Sequence, residues 1–75
     1  MSNAISDFMV HIEEQLSTEQ RNNLEASLRD NSCVISAAIP PNTPHLMMVV
    51  YDSECTQAKH ILGAVRDKGL HASML

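Results

Sequence analysis

The stretch Tyr51-Asp52-Ser53-Glu54-Cys55-Thr56, running on through Ile61-Leu62-Gly63-Ala64-Val65 to Lys68-Gly69-Leu70-His71-Ala72, decides the fold. Ala58, Ile61, Leu62 and Val65 recur at i, i+3, i+4 and i+7, the spacing of one buried helix face. Thr56 stands where a helix N-cap belongs, and Gly69 where a helix-terminating glycine belongs. Arg66 and Lys68 fall in the last turn, facing the negative end of the helix dipole. Before this helix, Leu46 to Tyr51 is an unbroken apolar run of strand length. After it, residues 70–75 read as a short final strand.

The first half has the same plan. Phe8, Val10 and Ile12 alternate with polar His11 and Glu13, predicting a first strand with one face inward. Ser17-Thr18-Glu19-Gln20 has the form of a capping box, and Leu24 and Leu28 give the following helix a thin apolar face. That helix is expected to stop near Asn31, with asparagine in the left-handed conformation. Val34 to Ile39 reads as a second strand, ended by Pro40, Pro41 and Pro44, which forbid regular pairing. The order predicts an α+β, ferredoxin-like βαββαβ sandwich: a four-stranded antiparallel sheet with two helices on one face. Residues 8–75 form a single domain. Residues 1–7 read as a disordered or tag-like lead, since Ser2-Asn3-Ala4 resembles a scar of tag removal.

Composition narrows function. The formal charge is −4, with 5 basic against 9 acidic residues, and Phe8 and Tyr51 are the only members of the Phe/Trp/Tyr class. Such a chain has neither a basic track for phosphates nor a platform for stacked bases, so nucleic acid is not an expected partner. No apolar run approaches a membrane span, and none follows a cationic start as in a secretory signal. Two cysteines are too few for a disulfide framework, so reduced thiols and a cytoplasmic location are expected.

The pattern resembles the heavy-metal-associated family, small ferredoxin-like domains that serve as copper or mercury carriers and as modules of metal-pumping ATPases. The resemblance covers about residues 8–75, with one extra residue in the proline loop. Tyr51-Asp52 matches the family's third-strand end, Thr56 its second helix start, and Ile61, Ala64 and Val65 its helix core. Gly69 and Ala72 match too, with Leu70 in place of an aromatic residue. Leu24, Leu28 and Val34 fall on core positions of the first half. One departure changes what the resemblance implies. The family's metal loop is Gly-Met-x-Cys-x-x-Cys, and those offsets here hold Glu14, Gln15, Ser17 and Gln20. Paired thiolates bind soft cations, whereas Ser and Gln offer neutral, hard oxygen donors. The resemblance therefore implies the fold, with the metal loop degenerate at Gln15, Ser17 and Gln20.

Other groups stand on their own chemistry. Cys33 opens the second strand and Cys55 follows the third, so both belong to the pole opposite that loop. They read either as two unrelated reduced residues, the expectation here, or as a disulfide, a zinc or copper pair, or a redox sensor. His45 and His71 each precede a strand at the loop's pole, with Glu13 or Glu14 between them. They read as surface polar residues or as N and O ligands of a borderline metal. His60 belongs on the solvent side of the second helix. Met47, Val49 and Tyr51 take the inward register, and Met74 is expected to join Ala72 there, with methionine filling core gaps. The opposite register puts Met9, Leu46, Met48, Val50 and Leu75 on a sheet face that no helix covers, and such a face marks a contact surface.

No glycine-rich phosphate loop, nucleophile elbow or Cys–His pair at catalytic spacing is present. Acylphosphatases share the fold, but Leu16-Ser17-Thr18-Glu19 lacks their glycine and carries a carboxylate that repels phosphate. The expectation is a non-enzymatic protein-interaction or regulatory module without cofactor. It self-associates as a homodimer or docks another protein through the apolar face. The alternative is a small copper or zinc carrier or sensor built on Cys33 and Cys55, or on His45 and His71 with carboxylates.

Overall fold

The computed structural model describes residues 4–75. Its elements run β1 (Ile5–Ile12), α1 (Thr18–Arg29), β2 (Val34–Ala38), β3 (Leu46–Asp52), α2 (Ala58–Arg66) and β4 (Ala72–Met74). The sheet order is β2-β3-β1-β4, with every pairing antiparallel. The expected βαββαβ sandwich is therefore the observed fold.

The core is the layer between sheet and helices. Val10, Ile12, Met47, Val49 and Tyr51 point into it from the two central strands. Leu24 and Leu28 of α1 and Ile61, Leu62 and Val65 of α2 meet them. Tyr51 packs edge-on to Phe8, with ring centroids 5.6 Å apart. Gly69 adopts φ 85°, the left-handed geometry that releases the chain from α2 into β4.

Several boundaries differ from expectation, each for a local reason. β1 begins at Ile5, because Ile5, Ser6 and Asp7 pair with Asp52, Tyr51 and Val50. The Ala4 carbonyl also accepts from both the amide and the hydroxyl of Ser53, at 2.8 Å each. Ordered chain therefore reaches back into the stretch expected to be a loose lead, while residues 1–3 lie outside the described residues. α1 ends at Arg29 without a left-handed asparagine, since no described residue other than glycine has positive φ. Asn31 instead turns the chain by accepting the Cys33 amide on Oδ1 at 2.8 Å. The N-cap of α2 is Gln57, one residue beyond Thr56, and its side chain makes no capping hydrogen bond.

β2 carries a bulge. Val34 pairs with Tyr51 and Ser36 with Val50, so Ile35 is an extra residue and stands 54% exposed. The bulge lets Val34 face the core in one register while Ala37 and Ile39 face it in the other. A Glu25 carboxylate oxygen accepts the Ile39 amide at 2.6 Å, tying α1 to the end of β2. Met74 corrects another expectation. It shares the inward face with Val10, its partner, but lies at the tip of a three-residue edge strand and is 41% exposed.

Candidate functional site

Three places collect the residues singled out by chemistry: the loop entering α1, the opposite pole, and the uncovered sheet face. At the loop, the capping box forms as the spacing predicts. Ser17 Oγ accepts the Gln20 amide at 3.1 Å, and Gln20 Oε1 accepts the Ser17 amide at 2.8 Å. Both side chains are thus committed to the exposed donors of the helix start. Gln15 is exposed, and Leu16 turns partly inward against the core. Ser17→Ala is expected to cost about 1 kcal/mol, read as a lower urea midpoint with an unchanged slope.

The two histidines at this pole flank the end of β1 without converging. His45 Nδ1 donates to the Ile12 carbonyl at 2.8 Å, and its own carbonyl accepts the Ile12 amide at 2.8 Å. His71 instead faces Glu14. Its Nδ1 lies 2.6 Å from Oε2, and its amide donates to both carboxylate oxygens at 2.9 and 3.0 Å. The Glu13 amide returns a bond to the His71 carbonyl at 2.9 Å. Of the two glutamates considered, Glu14 is thus the partner. Among the described residues, no three His, Cys, Asp or Glu side chains are placed to hold a metal ion.

The Glu14–His71 pair is electrostatically coupled. The His71 side-chain hydrogen bond, then its backbone amide, hold the Glu14 carboxyl below its ordinary 4.5. The Glu14 hydrogen bond, reinforced by the charges of Glu14 and Glu13, raises His71 above its ordinary 6.5. The raised histidine contributes stability that is complete below 6.5 and lost as pH climbs through its folded pKa. The lowered carboxylate contributes stability that is complete above 4.5 and lost as pH falls through its folded pKa. The pair therefore works best between these limits. In an NMR titration, Glu14→Gln is expected to bring the His71 midpoint down towards its ordinary value.

At the opposite pole, Cys33 and Cys55 are joined in a disulfide, with Cα atoms 5.4 Å apart. This corrects the expectation of two unrelated reduced thiols. In this oxidised form neither sulfur of the alternative Cys33/Cys55 pair is a thiolate able to ligate a metal. The expected cytoplasmic location loses one of its grounds as well. The bond spans 22 residues of sequence, and its formation depends on β2 lying beside β3. No local spacing announces it.

On the uncovered face, pairing brings the apolar residues into one row. Met9 stands opposite Met48, and Met48 opposite Ala38. The Leu75 amide donates to the Met9 carbonyl at 3.0 Å, extending the row across the fourth strand. Leu46 and Val50 sit on either side of Met48. Met48 is 46% and Leu75 70% exposed, while Met9, Leu46 and Val50 are partly covered by their neighbours.

Neither a protein-family profile nor a curated protein matches the chain. Solved structures do. A putative copper-ion-binding protein from Bacillus anthracis str. Ames superposes with TM-score 0.83 at 21% identity, over 96% of this chain and 100% of that one. A copper binding domain from HMA7, a P-type ATPase, gives 0.81 at 22% identity, over 92% of each chain. Oxidized MerP from Ralstonia metallidurans CH34 gives 0.81 at 14% identity, over 95% of this chain and 97% of that one. At these identities the likeness establishes a shared fold, the heavy-metal-associated-like fold expected from the sequence, and nothing further.

Proposed function

We propose that this chain is a non-catalytic interaction module of heavy-metal-associated fold, degenerate at the thiolate loop, that pairs with a second copy through its uncovered sheet face. The apolar row Leu75–Met9–Met48–Ala38 carries this reading. A contiguous apolar strip on an otherwise acidic surface favours leaving water. The loop supports it from the other side, because Ser17 and Gln20 are engaged in capping and offer no soft donor.

Side-chain placement favours a second copy as occupant. Asp7 and His11 lie two residues either side of Met9 on the same face. A two-fold axis along the Met9–Met48 row sets the His11 imidazole of one protomer, a hydrogen-bond donor, opposite the Asp7 carboxylate of its partner, and the reverse, so the apolar centre acquires a polar rim. Sedimentation equilibrium tests this. Concentration-dependent dimerisation in the micromolar range is expected. Met48→Lys is expected to weaken it about tenfold or more by burying an unpaired charge, with circular dichroism unchanged. A protein that stays monomeric into the millimolar range overturns self-association.

A further inference from the structure

We infer that the Cys33–Cys55 disulfide is a thiol–disulfide exchange site, with Cys55 the sulfur that is attacked and Cys33 the sulfur that leaves. Exposure assigns the roles. Cys55 is exposed in the turn between β3 and α2, whereas Cys33 is partly buried at the start of β2. Cys55 also lines an open cavity of about 200 Å³ with Ser53, Glu54, Thr56, Gln57 and His60. A nucleophile entering that cavity therefore meets Cys55. The start of α2 borders the same cavity through Gln57 and His60.

Backbone bonds independent of sulfur hold the two positions. The Asp52 amide donates to the Cys33 carbonyl at 2.9 Å, and the Cys55 and Thr56 amides donate to the Asp52 carbonyl at 3.0 and 3.1 Å. The Cys33 amide is fixed on Asn31 Oδ1. Opening the disulfide thus leaves two thiols at close quarters in a folded domain, ready to close again.

The co-reactant is a dithiol. One of its thiolates attacks Cys55 Sγ, a new S–S bond forms, and the Cys33–Cys55 bond breaks. Cys33 departs with the electron pair and takes a proton from water. The second thiolate of the dithiol then attacks its own sulfur in the mixed disulfide and expels Cys55, which is protonated in turn. The dithiol is oxidised by two electrons and the protein disulfide is reduced by two.

The test uses oxidised wild-type protein in native buffer with dithiothreitol, followed by alkylation and mass analysis. Reduction within minutes, with the far-ultraviolet spectrum retained, is expected. Reduction only after denaturant is added overturns the proposal. Acid-quenched reaction of the wild type with reduced glutathione, followed by peptide mapping, locates the mixed disulfide. An adduct on Cys55 supports the assignment, while one on Cys33, or shared equally, overturns it. Among single variants, glutathione disulfide is expected to modify Cys55 in Cys33→Ser about tenfold faster than Cys33 in Cys55→Ser. Equal rates count against the site.

Discussion

Opening the Cys33–Cys55 bond is expected to lower the thermal midpoint by about 12–24 °C. The crosslink joins residues 22 apart in sequence, and closing a loop of that length removes unfolded-state freedom worth about 3 kcal/mol. In a domain of this size each kcal/mol moves the midpoint by about 4–8 °C. The double variant Cys33→Ser/Cys55→Ser should match reduced wild type in a melt followed by circular dichroism. A shift of only a degree or two would show that the 33–55 loop is already held closed in the unfolded ensemble. A domain of 75 residues has roughly 4–11 kcal/mol of stability. The uncrosslinked form is therefore expected to remain folded at room temperature, which the exchange chemistry requires.

Truncating Ile12 to alanine has the other large effect, a loss of about 3–4 kcal/mol. Ile12 is fully buried at the end of β1, where that strand is paired with β4. Its amide and carbonyl are both held by His45, and alanine keeps those bonds. The loss is thus one of packing alone. Ile12→Val, which removes a single methylene, should cost about 0.5–1.5 kcal/mol. Urea denaturation of the oxidised proteins checks both values. The crosslink and Ile12 lie at opposite poles, so their effects should nearly add. Reduced Ile12→Ala is then expected to lose about 6–7 kcal/mol relative to the oxidised wild type, and a combined loss well short of the sum of the two single effects would contradict the additive view.

The features legible in the sequence were those governed by near neighbours. The capping box lies within four residues, and the α2 face of Ile61, Leu62 and Val65 lies within five. Met47, Val49 and Tyr51 took the inward register because strand period alone relates them. The misses depend on distant partners. Ile5 to Asp7 carry a weak strand signal and are recruited by β3, more than forty residues away. The Glu25 bond to Ile39 and the Cys33–Cys55 link join parts of the chain that touch only after the sheet has assembled. The bulge at Ile35 shows as a surplus of inward-fitting residues, Val34 with Ala37 and Ile39, that no strict alternation accommodates. Thr56 had the right chemistry for a cap, but the turn is built on the Asp52 carbonyl, which accepts the Thr56 amide and leaves Gln57 to start the helix.

The surplus residue at Ile35 also bears on how copies of the chain avoid running together into fibres. An outer strand with a straight ladder of open amides and carbonyls is a template for endless lateral growth. Here the outer strand β2 is twisted out of line at Ile35 and leads within a few residues into a run of prolines, while β4 at the far margin is only three residues long. Neither margin offers an incoming strand a regular ladder. The molecule can therefore expose an apolar sheet face while protecting both sheet margins, so that the pairing proposed above has no sheet edge from which to grow further.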